Sequence, residues 1–502
     1  MLFNSIEFLL FFPVVVLLYF VLPPKKRYFW LLLASYYFYM CWNPAYILLI
    51  VISTVITYLC GRAVEALREK EGLEEQQKKK WMKLTVAAGF LVNIGLLAYF
   101  KYTNFFVDCL NGILSVLKMA ELPRIPVLLP VGISFFTLQA LGYTVDVYRG
   151  DVKAEKNLFK YALFVSFFPQ LVAGPIERSG NLLGQIQEEP SRRLWDYHRV
   201  TEGLMIMLWG FFMKLVIADR AAILVDTVFD GYERYQMTGL ALGIAVFAVQ
   251  IYCDFAGYST IAAGAAKVLG FELMENFNTP FFAESVSDFW RRWHISLGTW
   301  FRDYLYIPLG GSRCGKAKRY RNLLLTFGIS GLWHGADITY IIWGLLHGFY
   351  QIAEKELSPV IKKINEKCRT RTESFGYRFF KVCVTFLLFE FALIFFRAES
   401  LHQAVHYIDR MLSCRDWWSL FDQSIYQMGL DITEMHILTF GIMALFAVDL
   451  LKYWKGQGLA EYLEKQWIVF RWGVLLGLLF VCIVFGCYGP GFDSSQFIYF
   501  QF

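Results

Sequence analysis

Apolar runs close to the length of a bilayer crossing recur along almost the whole chain, and no other feature restricts its fold so tightly. A spanning helix needs about 20 mostly apolar residues, and in lipid only helices or closed barrels satisfy their own backbone. Such runs cover 5–22, 28–42, 44–60, 84–101, 126–146, 157–174, 200–217, 237–253, 255–271, 323–334, 338–353, 379–397, 436–453 and 469–488. Several are too short to cross alone, and the 323–353 pair reads as a broken or re-entrant hairpin. Composition agrees: the 502 residues are 57% hydrophobic and 18% charged, where soluble domains run at about 45–50% and about 25%. The expectation is an all-α polytopic membrane protein in one domain, 1–502, with no tandem repeat.

Charge sets the orientation. Lys25-Lys26-Arg27, the 62–83 stretch ending in Lys78-Lys79-Lys80, the 313–321 segment and the 355–381 stretch are all basic. The positive-inside rule places them in the cytoplasm and the N-terminus outside. The net charge of +6 suits anionic headgroups or a phosphate-bearing substrate, and no soluble basic face points to nucleic acid. Ten cysteines include no CxxC pair and read as packing thiols. The first run lacks a basic leader and a small-residue cleavage site, so it reads as a retained span.

Between the runs near 271 and 323 lies a long polar interval, expected as a cytoplasmic-side interfacial segment over about 272–322. Ser285-x-x-Asp288 is a capping box that opens a helix. From there Phe289, Trp293 and Leu297 form one apolar stripe, with Trp290 and His294 as i, i+4 neighbours beside it. Tryptophan mixed with Arg291, Arg292 and Arg302 suits a helix lying at the membrane interface, with His294 as an edge residue bonded to a carbonyl.

The segment "GLWHGADITY" at 331–340 sets a histidine inside an apolar run. An ionisable group at that depth costs several kcal/mol and faces an interior or a cavity. Desolvation favours its neutral form, which can accept a proton near pH 7. Gly331 and Gly335 leave room for a substrate or a neighbouring backbone, and Asp337 stands three residues on, able to orient the ring. The competing reading is a packed histidine that ties two helices together. His347 follows thirteen positions later, roughly 220° beyond whole turns, so one straight helix cannot present both histidines on one face. A break at Gly335–Asp337 could bring them together, but His347 reads as structural. His402 and His406 could chelate an ion at i, i+4 but lack a third ligand nearby, and no metal site is expected. No GxSxG, Walker A or GxGxxG motif is present.

These residues place the chain in recognisable company. It resembles the membrane-bound O-acyltransferase family, and within it the branch that O-acetylates alginate. The resemblance rests on "LVAGPIERSG" at 171–180, "QIYCDFAGYSTIAAGAAKVLGF" at 250–271 and "NFNTPFFAESVSDFWRRWHISLGTWFRDYLYIPLGGSR" at 276–313. "GLWHGADITYIIWGLLHGFY" at 331–350 and the closing "FIYFQF" complete it. The resemblance implies a curved multi-helix bundle around a transmembrane tunnel, with re-entrant and interfacial helices, in a cell membrane. It maps the catalytic histidine onto His334 and the second polar position onto His294. Where the family carries Tyr-Ser-Asp, this chain has Tyr258-Ser259-Thr260, which leaves Asp254 as the better supporting carboxylate, beside Asp288, Trp333 and Asp337. It further implies transfer of an acyl group, acetyl in this branch, from a cytosolic thioester to a hydroxyl of an envelope polysaccharide, directly or through an extracytoplasmic partner. The donor would be acetyl-CoA or a carrier's phosphopantetheine thioester, with Arg291 and Arg292 near its phosphates and no tightly bound cofactor. Two alternatives accompany this reading: D-alanyl transfer from a carrier protein toward teichoic acid, and a transporter or membrane scaffold.

Overall fold

A computed structural model describes residues 1–189, 194–413 and 415–488. Cys414 and the closing "FIYFQF" lie outside the described residues. Among those described, the regular structure is helical, without strands. Among the described residues, seven helices are long and apolar enough to cross a membrane: Pro44–Glu69, Glu75–Val116, Tyr197–Asp230, Met237–Val268, Phe375–Arg397, Ile432–Lys455 and Ile468–Phe485. The protein is a multi-pass, all-α membrane protein.

The helix ends depart from the apolar runs for local reasons. The 62–83 stretch is largely helical: helices Ile47–Glu69 and Glu75–Val116 continue through it and leave only a short turn. Its Glu, Lys, Gln and Ala residues are strong helix formers, so helix persists beyond the apolar stretch. The runs at 237–253 and 255–271 are one helix, Met237–Val268, because nothing between them breaks it. By contrast, the 126–146 run becomes helical only at Ile133. Pro123, Pro126 and Pro130 deny amide donors before it, and Gly132 makes the turn with φ 74°.

The chain forms two compact units. The first comprises Met1–Leu204 and Ala262–Met274. Here Ile47–Glu69 packs against Ile133–Arg149 and Glu75–Val116. Buried Tyr161 donates to Thr57 Oγ1 over 2.8 Å, and its ring centroid lies 4.4 Å from that of Tyr143. The "LVAGPIERSG" segment contributes a buried carboxylate, Glu177, which accepts from the Met274 amide and from Asn181 Nδ2. Burial pushes the Glu177 carboxyl up to about 7.

The second unit comprises Met205–Ile261 and Glu275–Phe502. Its centre is an antiparallel hairpin of helices Lys316–His334 and Ile338–Lys367, broken at Gly335–Asp337 as the sequence suggests. Glycines bring the two backbones together. A Cβ at Gly331 would strike the Tyr340 carbonyl, and one at Gly344 would strike the Phe327 carbonyl. The room beside Trp333-His334 is therefore filled by the partner backbone, and Gly335 by the ring of Tyr340.

Gly344→Ala should force the hairpin apart and lower the thermal midpoint of the detergent-solubilised protein by at least several degrees. Gly376→Ala, where an added Cβ meets open space, should leave it unchanged. Glu177 binds its proton more tightly folded than unfolded, so its contribution to stability is present in acid and is lost as pH rises through about 7. Glu177→Gln should flatten the melting temperature between about pH 5 and 8, as measured by thermal unfolding across that range.

Candidate active site

Ser285 opens a helix as its sequence predicts, its hydroxyl accepting from the Asp288 amide over 3.0 Å. The helix does not continue, however. It ends at Arg292, the chain breaks at Trp293-His294, and a second short helix covers Ile295–Phe301. His294 sits at the break with φ 43°, in the left-handed region. A side chain with a Cβ adopts that conformation only where its surroundings over-determine it. Asn276 supplies the restraint. Its carbonyl accepts from the Ile295 amide over 3.0 Å, and its Oδ1 accepts from Ser296 Oγ over 2.6 Å. Its Nδ2 donates to Ser259 Oγ over 3.0 Å. On the other side of the break, the Asn278 amide donates to the Arg292 carbonyl over 2.9 Å.

The break corrects the expected single face. Trp290 and His294 do not stand one turn apart on a helix. Trp290 meets the ring of His347 at 5.0 Å between centroids, whereas His294 meets Phe255 at 4.6 Å and His334 at 6.3 Å. The structure thus joins the two predicted histidines across a sequence distance that no periodicity connects.

His334 is the last residue of its helix, buried among the edges of Trp333, Trp343 and Phe396. His294 is buried as well, and desolvation pulls its imidazole down to about 3. It is neutral at physiological pH, offering one N–H and one lone pair.

A cavity of about 980 Å³ opens beside this pair. Ile295, next to His294, and Ser330, one helical turn before His334, belong to its wall. Arg291, Arg302, Arg319 and Lys355 line it with positive charge, beside one carboxylate, Glu354, and with Arg302 also paired to Asp303 over 2.8 Å. Arg292 does not join them. Its Nε donates to Asp288 over 2.9 Å and its guanidinium lies 5.6 Å from the Tyr453 ring centroid. Of the two arginines expected near donor phosphates, only Arg291 faces the cavity, because consecutive helical residues point about 100° apart.

The supporting carboxylates have other partners. Asp337 caps the Ile338–Lys367 helix, accepting from the Thr339 amide over 2.9 Å. Asp288 is held by Arg292. Asp254 is buried as expected, but its partner is the ammonium of Lys214 at 2.5 Å, which also meets Asp219 at 2.7 Å. Lys214 lies in a π-helical stretch, Phe212–Ala218. That i, i+5 geometry sets Lys214 over Asp219. Sequence reading missed Lys214, Asp219 and Asn276. The available signal was the lone "K…D" pair, five apart, inside "FFMKLVIADR". His402 and His406 stack at 5.9 Å, and among the described residues no group of three potential metal ligands occurs.

Residues 36–396 match the family model of the membrane-bound O-acyltransferases. A protein named probable alginate O-acetylase, from Pseudomonas syringae pv. tomato, is 40% identical over 75% of this chain and 68% of its own length. A peptidoglycan O-acetyltransferase of Helicobacter pylori is 35% identical over 74% of this chain and 71% of its own. A teichoic acid D-alanyltransferase of Bacillus subtilis is more distant, 26% identical over 54% of this chain and 69% of its own.

The buried ion cluster makes its own prediction. Lys214→Met leaves two buried carboxylates facing each other and should cost about 3–5 kcal/mol of stability. Adding Asp219→Asn and Asp254→Asn to that variant should recover most of the loss in a denaturation series.

Proposed function

The chain belongs to the membrane-bound O-acyltransferase family, and on that premise we propose that it carries an acetyl group from a cytosolic thioester to a hydroxyl of a cell-envelope polysaccharide, directly or through an extracytoplasmic partner, in the cell's inner membrane. One observation carries the reading for this chain's own residues. Two buried imidazoles stand 6.3 Å apart between ring centroids, one from the strained break at His294 and one from the hairpin end at His334, behind Ile295 and Ser330 in the wall of a cation-lined cavity.

A thioester is already activated, so the chemistry asks little beyond proton management and placement. His334 takes the proton of the attacking hydroxyl as its oxygen bonds to the thioester carbonyl carbon. The tetrahedral intermediate then collapses, the C–S bond breaks, and the thiolate leaves with the proton returned from His334. Base catalysis of this kind contributes about 10²–10⁴-fold in rate, about 3–5 kcal/mol. His294, neutral and fixed by Asn276, polarises or orients from the other side. Holding two substrates in register adds to this by removing the entropy of encounter.

The donor fits the cavity's chemistry. Coenzyme A and the phosphopantetheine arm of a carrier protein both bring phosphate to a thioester, and arginine is suited to binding phosphate in a fork. Arg291, Arg302 and Arg319 are the residues for that task. The names of the relatives support acetyl as the acyl group and a polysaccharide as the acceptor. The more distant D-alanyltransferase relative keeps a second acyl group in view, and the donor decides between them.

Membranes supplied with labelled acetyl thioester should yield acetylated glycan or partner. His334→Ala should cut this at least a hundredfold at normal protein level, and Arg319→Ala should raise the donor KM with little change in kcat. Normal acetylation by the His334 variant would overturn the assignment. Labelling only from a D-alanyl carrier would move the reading to the second acyl group.

A further inference from the structure

His347 reads as structural in the sequence, yet it touches both Trp290, in the cavity wall, and Trp343, which touches His334. Along one face of the Ile338–Lys367 helix, Gln351, His347 and Trp343 succeed each other at spacings of four, which places them one above the other. Gln351 lines the cavity. Trp343 touches His347 at 5.1 Å and His334 at 5.1 Å between ring centroids. On the facing short helix, Trp290 also lines the cavity and meets both His347, at 5.0 Å, and Trp343, at 5.7 Å. Three polar rings therefore form an unbroken series from the cavity wall to the proposed base.

Their hydrogen-bonding state is the second observation. His347 and Trp343 are almost completely buried. Both ring nitrogens of His347 and the indole nitrogens of Trp290 and Trp343 lack a hydrogen-bond partner among the described residues. Leaving such a group unsatisfied costs about 1–3 kcal/mol. Packing alone gives no reason to gather three of them, since phenylalanine fills the same space without that cost. Each indole has one N–H to donate, and a neutral imidazole has one donor and one acceptor. What complements such a group of neighbouring N–H donors is a carbonyl oxygen.

We infer that His347, with Trp290 and Trp343, forms a carbonyl-binding collar that holds the acyl donor's thioester or amide carbonyl as it passes from the cavity toward His334. The inference rests on the acyl-transfer reading and adds to it the residues that grip the arm of the donor rather than its phosphates.

The test uses full-length protein in nanodiscs, with thiol release measured from acetyl-CoA and from acetyl-pantetheine, which has no phosphates. His347→Phe keeps a ring and removes both nitrogens. It should raise KM about tenfold for both donors while kcat stays within about threefold. His347→Gln restores a donor and an acceptor and should return KM most of the way. Arg319→Ala should raise KM for acetyl-CoA alone. Should His347→Phe fail to fold, Trp290→Phe carries the same expectation from the cavity side. Wild-type KM values in the phenylalanine variant would overturn the collar, as would an equal loss of kcat in the phenylalanine and glutamine variants. An absence of thiol release by the wild-type protein from either donor would instead count against the acyl-transfer reading itself.

Discussion

Asn276 uses its carbonyl and both ends of its side-chain amide to hold one backbone break, and the geometry of the site depends on that restraint. It holds Trp293-His294 out of the continuous helix that the apolar periodicity favours, with the His294 ring 6.3 Å from that of His334. The left-handed conformation is unfavourable for a residue with a Cβ, by about 1–3 kcal/mol. Three hydrogen bonds in a buried setting outweigh that cost. Their value is geometric as well as energetic, because they set the direction in which the imidazole points.

The second restraint is the close approach of the hairpin helices. Gly331 and Gly344 let backbone meet backbone, and His334 sits at the end of the helix so packed. One imidazole is thus set by polar clamping and the other by glycine packing. In an apolar environment both devices suit the problem. Hydrogen bonds there have little competing water, and small residues allow the dispersion contacts that replace a hydrophobic driving force.

Lys214, Asp219 and Asp254 illustrate a different use of polarity. Their charges neutralise one another within a helix bundle, and a π-helical turn rather than an α-helical one brings Lys214 over Asp219. Asp254 stood out in the sequence as a buried carboxylate, and it is one. Its partner could not be read there, because Lys214 lies forty residues earlier on another helix, and no helical period connects the two. Asp337 and Arg292, expected from the sequence near the site, are both held locally. Each has a local hydrogen bond, to Thr339 and Asp288 respectively, that a nearby backbone or side chain satisfies before any distant group can compete.

Hydropathy alone determined that this chain crosses a membrane repeatedly as helices, since lipid permits few other solutions for so many apolar residues. The same rule marked His334 as a residue to explain, because burial of an ionisable group in such a run is costly wherever it occurs. The break at Gly335–Asp337 was also legible, its glycine and capping aspartate being local signals. The tertiary structure alone decided the meeting of His334 with His294, the strained turn that makes it possible, and the place of His347 beside both tryptophans. Those outcomes depend on contacts between residues far apart in the chain, and periodicity carries no information about which helix faces which.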